Sequence, residues 1–342
     1  MKAVLFREHG GPDVLEYSDV YTPQPGSGEV LVELKAVSLN RLDIWVRNGW
    51  DGINLEYPHI LGADGAGIVA AVGAGVVGVQ PGARVAINPN LWCGCCPNCY
   101  GGRDHLCDSW QLLGESVRGT YAQYIVVPER NLLLLPDPVS FEMAAAASLV
   151  YLTAWHSLIT RGRLRAGESV VVVGAGGGVN SACIQIARLS GAKVYAVCAN
   201  AKKMERAESL GADIVIDRSK EDWSHTIFEM TERHGVDVVI DNVGAETFFR
   251  SIRSVRKGGR ILTVGNTSGP KFEIDNRYLF GKHLTIIGSS MGPHTDFLAV
   301  MALLFDGKLR PVIDSRFSLA EAPAAHLKLQ SGDFFGKIVL LP

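Results

Sequence analysis

Four cysteines of the chain have the type and spacing of metal ligands. Five of the seven cysteines lie between Cys93 and Cys107, and Cys93, Cys96, Cys99 and Cys107 form the pattern C-x2-C-x2-C-x7-C. Four thiolates can surround a tetrahedral Zn²⁺ with Zn–S distances of about 2.3 Å, and such a site has no open position for a substrate. The spacing predicts one structural zinc ion per chain. Free thiols and an iron–sulfur cluster are the alternatives.

A second chemical signal is a glycine-rich turn after the apolar run Val170–Val173. Phosphate groups bind at such turns because backbone N–H groups and a helix N-terminus face the anion, with no side chain in the way. The third glycine of the G-x-G-x-x-G pattern is replaced by Val179. We still expect a dinucleotide here rather than a purely structural turn. The residues expected to contact it are Gly174, Gly176, Gly177, Gly178 and Val179.

The segment after the next predicted strand, Lys193–Val197, bears on which dinucleotide binds. An NAD site places an acid there to accept a hydrogen bond from the ribose 2′-OH, whereas an NADP site lacks that charge and carries cations. Residues 198–203 contain no acid and two lysines, Lys202 and Lys203. We therefore predict a preference for NADP(H) over NAD(H), with Asn200 and Lys203 as contacts. The alternative is that both lysines are solvated and that both cofactors are used.

Length and pattern give the elements that must position these residues. With 342 residues the chain exceeds the size of one core, so two domains are expected. Short runs divided by glycine and proline predict a β-rich domain over 1–150, with a zinc lobe at about 88–112. Apolar strands alternating with helices predict a doubly wound parallel sheet over 151–288. Residues 289–342 form a closing segment whose last strand, Lys337–Leu341, is expected to return to the first domain.

Composition and charge indicate which kinds of partner the protein is expected to bind. Charged residues make up 20% and the formal net charge is −2, which argues against a broad nucleic-acid or anionic-membrane face. The N-terminal residues carry charges and no signal-peptide core, and we identify no uncharged apolar stretch of about 18 residues. We expect a cytoplasmic protein whose partner is a small-molecule substrate, without nucleic acid or membrane.

Further motifs are typical of one family. They are Gly28–Val32, Leu61–Val69, Pro81–Val85, Leu152–Trp155, Asp241–Gly244 and Gly336–Val339. Together with the cysteine loop and the glycine turn, they resemble the medium-chain dehydrogenase/reductase superfamily over essentially the whole chain. The resemblance implies an α/β protein with a GroES-like N-terminal domain, a Rossmann domain and a cofactor cleft between them. It also implies that Thr153, Asn242, Gly265 and Asn266 flank the nicotinamide.

The chain departs from the zinc-type alcohol dehydrogenases of this superfamily at the catalytic metal. By resemblance, the three metal-ligand positions fall on Asn40, on Ala63 and near Leu149. Alanine and leucine side chains cannot coordinate a metal, and an amide is a poor Zn²⁺ ligand. The positions of the proton relay hold Leu42 and Trp45. The Lewis acid and the relay are thus expected to be lost together.

Asn40 and the preserved Asp43 instead resemble the quinone oxidoreductase branch, which reduces activated carbonyls or conjugated alkenes with NADPH and no catalytic metal. We expect Asn40, Asp43 and Thr153 at the catalytic site, with Asn40 donating a hydrogen bond to the substrate oxygen. A rebuilt zinc site from Asp43, His59 and Asp64 in an alcohol dehydrogenase is one alternative. A non-catalytic NADPH-binding protein is the other.

The apolar run Leu284–Gly288 is expected to form an edge strand of the parallel sheet. In this superfamily that strand pairs across a two-fold axis, so a homodimer or homotetramer is predicted.

Overall fold

A computed structural model describes all residues, 1–342. The chain divides into two compact units. The first comprises Met1–Leu149 together with Pro293–Pro342, and the second comprises Val150–Gly292. The sequence places these junctions at 150 and 288, so the second junction lies a few residues further along the chain than expected.

The N-terminal part of the first unit contains ten strands and three helices. The strands are β1 (Lys2–Phe6), β2 (Glu16–Asp19), β3 (Glu29–Ser38), β4 (His59–Ile60), β5 (Asp64–Val72), β6 (Arg84–Ile87), β7 (Asn90–Leu91), β8 (Gln111–Leu112), β9 (Tyr124–Pro128) and β10 (Leu132–Leu134). The helices are α1 (Arg41–Asn48), α2 (Pro97–Tyr100) and α3 (Phe141–Trp155), the last of which crosses the junction.

The second unit alternates strands and helices, and the chain then returns to the first unit. The second unit contains β11 (Ser169–Val173), α4 (Gly178–Leu189), β12 (Lys193–Cys198), α5 (Ala201–Ser209), β13 (Ile214–Asp217), α6 (Trp223–Met230), β14 (Val236–Asp241), α7 (Phe248–Ser254), β15 (Val255–Thr263), α8 (Asn276–Lys282) and β16 (Thr285–Gly288). The returning segment contains α9 (His294–Phe305), β17 (Ile313–Ser318), α10 (Ala322–Ser331) and β18 (Lys337–Leu341).

The main sheet of the first unit is organised around β3. Its strand order is β10-β6-β5-β3-β18-β17, and β9 also pairs with β3. Strands β5 and β18 lie antiparallel on either side of the end of β3, where Ser38 is opposite both Asp64 and Val339. Continuing the antiparallel register beyond Ser38 places Asn40 opposite Lys337. The last strand thus returns to the N-terminal sheet.

Helix α1 begins immediately after this point and is absent from the sequence prediction. Asn40 precedes the helix with extended backbone angles, and the Asp43 carboxylate accepts a hydrogen bond from the Asn40 N–H at 2.7 Å. An acid in the first turn also suits the positive end of the helix dipole. The local sequence therefore starts a short helix inside a β-rich region.

The second unit is a six-stranded parallel sheet in the order β13-β12-β11-β14-β15-β16. Val170–Val173 of β11 are fully buried, as expected for a central strand covered on both faces. The predicted Rossmann fold is confirmed. Strand β16 lies at the edge, with Ile286 exposed. Pairing of protomers through this strand stays a prediction.

Helix α3 continues as a π-helical segment, His156–Arg161. The combined stretch Phe141–Arg161 is long and apolar enough to cross a membrane by length and composition, a possibility that the sequence prediction did not identify. Because 78% of its most apolar window is buried inside the protein, the stretch has the properties of a core helix.

Two glycines with nearly equal φ provide a test of packing beside the site. Gly62 has φ +98° and Gly52 has φ +95°. A Cβ on Gly62 would lie 2.6 Å from Thr120 Oγ1 and 2.8 Å from Tyr121 Cε1, whereas a Cβ on Gly52 would meet nothing within 4 Å. Both alanine variants carry left-handed backbone strain, but only Gly62→Ala also overpacks.

We expect Gly62→Ala to lower the free energy of unfolding by about 1–3 kcal/mol more than Gly52→Ala, measured by urea unfolding. Equal losses in the two variants would contradict the packing assigned to Tyr121.

Candidate active site and cofactor site

The four predicted metal ligands converge at one point of the first unit. The sulfur atoms of Cys93, Cys96, Cys99 and Cys107 all lie within 4.8 Å of one another. Helix α2 positions Cys99, and a short 3-10 helix, Asp104–Leu106, leads into Cys107. The chemistry of this donor set fits zinc, because four thiolates facing one point need a cation to balance them. Cys95 is exposed.

The cysteine lobe also fixes the beginning of α9. Both carboxylate oxygens of Asp104 accept hydrogen bonds from the backbone N–H of His294, at 3.1 and 2.9 Å. The Trp92 ring packs on the His294 ring with centroids 5.4 Å apart. The His294 ring nitrogen Nδ1 lies 3.1 Å from Asn88 Nδ2. The lobe therefore connects strands near the N-terminus to the segment that re-enters the first unit.

A second cluster of polar groups is buried at the end of β3. Lys337 Nζ lies 2.6 Å from Asn40 Oδ1 and 2.9 Å from Asp64 Oδ2. Asn40 Nδ2 and Ser38 Oγ each donate to Asp64 Oδ2 at 2.9 Å. These four side chains are almost fully buried, with Asp64 and Ser38 at 0%, Lys337 at 3% and Asn40 at 6% exposure. We call Ser38, Asn40, Asp64 and Lys337 the Asp64 cluster.

The residues that by resemblance fall at or near the catalytic metal-ligand positions, Asn40, Ala63 and Leu149, all adjoin this carboxylate. Asn40 donates to Asp64, Ala63 precedes it in the chain, and the backbone N–H of Leu149 donates to Asp64 Oδ1 at 2.7 Å. Sequence reasoning did not identify Lys337 as a site residue. The closing motif Gly336–Val339 indicates a strand that returns to the first unit, but the contact of Lys337 with Asn40 depends on the register of β18 on β3, which the motif does not give.

Asp43 lies behind Asn40 in a chain of hydrogen bonds. Its Oδ2 accepts from the Asn40 N–H and from Tyr121 OH at 3.0 Å, and Tyr121 OH lies 3.2 Å from His326 Nε2. Arg47 Nη1 donates to His326 Nδ1 at 2.9 Å. Because a guanidinium only donates, His326 carries its proton on Nε2 and donates to Tyr121, which in turn donates to Asp43.

Burial shifts the pKa values of two groups in this series of hydrogen bonds, Asp43 and His326. Desolvation raises the pKa of Asp43 to about 6, against the opposing effect of its hydrogen bonds and of the Lys337 charge. Desolvation and the Arg47 charge lower the pKa of His326 to about 3, so its imidazole is neutral at physiological pH. The Asp43 carboxyl holds the Asn40 backbone at the start of α1. Direct participation of Asp43 in catalysis stays a prediction.

The structure does not assemble the alternative metal site. His59 Nε2 lies 3.2 Å from the Gly114 carbonyl oxygen, and the His59 ring packs edge-on against Phe6 with centroids 5.6 Å apart. Asp43, Asp64 and His59 do not come close enough together to bind one metal ion. Across residues 1–342, the four cysteines are the only group of three or more such donors close enough to hold one metal ion.

The glycine-rich turn lies between β11 and α4. Gly174 has φ +79°, and its N–H and that of Ala175 donate to the Val197 carbonyl. A Cβ on Gly176 would lie 3.0 Å from Lys203 Cδ, so the Lys203 side chain crosses close to the turn. Gly177 precedes the first helical residue, Gly178. A helix N-terminus bordered by small residues fits a dinucleotide diphosphate.

Asparagine side chains connect the strand ends around this turn. Asn180 Nδ2 donates to the Val173 and Gly174 carbonyls at 2.7 and 2.9 Å. Asn242 Nδ2 donates to Asn180 Oδ1 at 2.7 Å, and Asn242 Oδ1 accepts from the Val264 N–H at 2.9 Å. Sequence reasoning did not identify Asn180, although its place just after the missing third glycine was a signal. The side chain of Asn242 holds strand ends, and its contact with the nicotinamide stays a prediction.

The other predicted nicotinamide neighbours lie in the same unit. A Cβ on Gly265 would lie 2.9 Å from the Asn242 carbonyl oxygen, and the Asn266 Cα lies close to Gly244. Thr153 is buried, and its Oγ1 lies 3.7 Å from Met291 Sδ. Their contacts with a cofactor are likewise predictions.

The first unit has a four-thiolate lobe, and the second has a glycine-rich turn on a parallel sheet. Together they are typical of nucleotide-binding dehydrogenases. Two family models match the chain: "Alcohol dehydrogenase GroES-like domain" over residues 26–137 and "Zinc-binding dehydrogenase" over residues 178–306. The chain belongs to the medium-chain dehydrogenase/reductase superfamily, as a zinc-type alcohol dehydrogenase-like oxidoreductase.

Relatives in this superfamily have more than one activity. The chain is 32% identical to an NAD-dependent alcohol dehydrogenase of Saccharolobus solfataricus, with 100% of both chains covered. It is 33% identical to a quinone oxidoreductase of Pseudomonas aeruginosa, covering 100% of this chain and 99% of that one. A crystal structure described as an NAD-dependent alcohol dehydrogenase is 43% identical, covers both chains completely and has a TM-score of 0.96.

The raised pKa of Asp43 makes a prediction about stability. The folded protein holds the Asp43 proton more tightly than the unfolded chain, whose carboxyl titrates near 3.8. Stability contributed by this group therefore falls as pH rises from about 4 to 6, by roughly 3 kcal/mol at most. We expect Asp43→Asn to remove this slope, measured by urea unfolding from pH 4 to 7.

The control is Asp51→Asn, which changes an exposed carboxyl. A constant difference in unfolding free energy between native protein and Asp43→Asn across this pH range would argue against the raised pKa.

Proposed function

We propose that this protein reduces activated carbonyl compounds with NADPH and without a catalytic metal. The substrate class comprises quinones, conjugated enones, and aryl or cyclic ketones. The observation that supports the proposal is the Asp64 cluster, in which an amide, a carboxylate and an ammonium group contact one another at positions that, by resemblance, adjoin the catalytic metal site.

The hydrogen bonds of the cluster oppose a second zinc ion. Asp64 accepts from Ser38, Asn40 and Lys337 at Oδ2 and from the Leu149 N–H at Oδ1, so both carboxylate oxygens already have donors. The negative charge of Asp64 is balanced by the adjacent ammonium at 2.9 Å. A divalent ion would need to displace these donors, and neither Ala63 nor Leu149 has a side-chain ligand to offer in return.

The residues of the chain would bind the cofactor and stabilise the charge formed during reduction. NADPH, when bound, supplies a hydride to an electrophilic carbon. The glycine turn would hold its diphosphate at the start of α4. Asn40 has two amide hydrogens, one of which is used by Asp64. We assign the second to the substrate oxygen, where one such donor contributes about 3 kcal/mol.

This limited contribution explains the expected substrate class. A metal supplies several kcal/mol of charge stabilisation, which one amide donor does not replace. Substrates whose own π-system delocalises the developing charge need less help from the protein. Simple aliphatic aldehydes and alcohols should therefore react slowly.

The end of β12 supports NADP(H) as the preferred cofactor. Asn200 Oδ1 accepts from the Lys203 N–H at 3.0 Å, and no acid occurs between β12 and Lys203. Asp217 at the end of the neighbouring strand β13 is engaged by Ser219, through both its N–H and its hydroxyl. Because some relatives are named as NAD-dependent, the choice between NADP(H) and NAD(H) is tested separately from the substrate class.

The function is tested by a substrate screen combined with a metal count on the purified protein. We expect NADPH oxidation with a quinone and a cyclic enone to exceed ethanol or benzyl alcohol oxidation at least tenfold in kcat/KM, with one zinc per chain. Two zinc ions per chain, together with reversible loss of activity when a chelator removes the second, would instead establish the alcohol dehydrogenase alternative.

Cofactor choice is tested by exchanging one lysine for a neutral residue of similar length. A charge-assisted hydrogen bond to phosphate contributes about 1.5–3 kcal/mol, so Lys203→Met should raise the KM for NADPH roughly 10-fold or more. The KM for NADH should change little, because NADH lacks the 2′-phosphate.

The matched control is Lys202→Met, which removes the adjacent exposed lysine. Equal effects of Lys203→Met on NADPH and NADH would contradict the assigned 2′-phosphate contact.

A further inference from the structure

Lys337 is a buried cation that contacts the side-chain amide of Asn40, the group proposed to donate to the substrate oxygen. Its Nζ is held 2.6 Å from Asn40 Oδ1 and 2.9 Å from Asp64 Oδ2, and the residue is 3% exposed. The pairing of β18 with β3 is observed up to Val339 opposite Ser38, and Lys337, two residues before Val339, contacts Asn40. Because Lys337 is buried and belongs to a paired strand, its ammonium group is held in place, unlike that of a flexible surface lysine.

The direction of the hydrogen bonds gives this cation a chemical effect. Lys337 donates to the carbonyl oxygen of the Asn40 side chain, and the nitrogen of the same amide is a donor. Amide resonance couples the two ends, so a positive charge at Oδ1 withdraws electron density from Nδ2. Hydrogen bonds in a chain polarise one another, and this effect is greater where water is excluded.

We propose that Lys337 acts through Asn40, polarising its amide so that Nδ2 becomes a stronger donor to the substrate oxygen. Lys337 is then a positioning residue that supplies, through one amide, part of the positive charge that a metal would supply. This inference rests on the proposed function for the identity of the reaction.

The reduction that Lys337 would assist is balanced as follows. The substrate carbon would accept a hydride, with its electron pair, from a bound reduced nicotinamide, which would be oxidised. The π-electron pair of the C–O bond moves onto the oxygen, where Asn40 Nδ2 stabilises the negative charge. The oxygen then takes a proton from water. In an enone the hydride would add to the β-carbon, the C=C electron pair would shift toward the carbonyl carbon, and the negative charge would form on the enolate oxygen before protonation.

Lys337→Gln separates charge from hydrogen bonding, because glutamine can still donate to Asn40 Oδ1. We expect kcat for a quinone or cyclic enone to fall about 10-fold or more, with KM within about 3-fold and NADPH affinity unchanged by fluorescence titration. Lys337→Arg keeps the charge and should retain kcat within about 3-fold. The control is Lys328→Gln, which breaks the Lys328–Asp314 ion pair in the same unit and should leave kcat unchanged.

A purely structural role for Lys337 makes a different prediction. It would lower the folded fraction, but not kcat per folded molecule. Because the proposed effect passes through Asn40, Lys337→Gln should change kcat less than 2-fold when Asn40→Ala is already present. A full 10-fold loss in that background, or native kcat in Lys337→Gln alone, would overturn the proposal.

A spectroscopic measurement keeps this inference separate from the proposed function. The side-chain ¹⁵N and ¹H resonances of Asn40 Nδ2 should lie further downfield in the native protein than in Lys337→Gln, with or without turnover. Unchanged resonances overturn the inference even if the native protein is an active reductase. A clear shift in a protein that reduces no member of the substrate screen overturns the proposed function alone.

If Lys337→Gln does not fold, the native protein provides the comparison. Asn180 Oδ1 accepts from the neutral amide of Asn242 rather than from a cation. The Nδ2 resonances of Asn180 should therefore lie upfield of those of Asn40. The reverse order would overturn the inference.

Discussion

The register of three adjacent strands is the constraint on which the candidate site depends. Strand β3 lies between β5 and β18, and Ser38 is opposite both Asp64 and Val339. This pairing brings Lys337 to Asn40 across 297 positions of sequence. A slip of one residue would turn every side chain of the moved strand to the other face of the sheet, separating the ammonium from its carboxylate.

The same pairing makes a buried ion pair tolerable. Moving a carboxylate and an ammonium out of water costs several kcal/mol per ion, which is recovered only where geometry and further hydrogen bonds are good. Asp64 has such bonds from Ser38, Asn40 and the Leu149 N–H. Removing either partner would leave an uncompensated charge in the interior, which is strongly destabilising.

Local patterns were sufficient for much of the fold and for two of its sites. The cysteine ligands are close in sequence, so their spacing alone predicts a metal lobe. The valines of β11 and the glycines after them likewise identify the nucleotide-binding sheet, because strand, turn and helix follow one another directly. In each case the residues that interact are neighbours along the chain.

The buried networks were not accessible to the same reasoning. Tyr121 and His326 meet Asp43 only through tertiary packing, and a buried histidine or tyrosine in a sequence has no distinguishing spacing. Helix α1 was missed for a different reason: it is short and lies in a β-rich region, although Asp43, three residues after Asn40, is a local signal for its start. The expected role of Asn40 came from resemblance, whereas its contact with Lys337 required the strand register.

The discontinuity of the first unit determines the order in which this site can be completed during synthesis. Lys337 follows the whole second unit in the chain, whereas Asp64 and Asn40 precede it. Since domains form from the N-terminus as the chain is made, the early part of the first unit emerges with a carboxylate that has no cation beside it. The Asp64 carboxylate must therefore stay hydrated until the second unit has been made and β18 arrives.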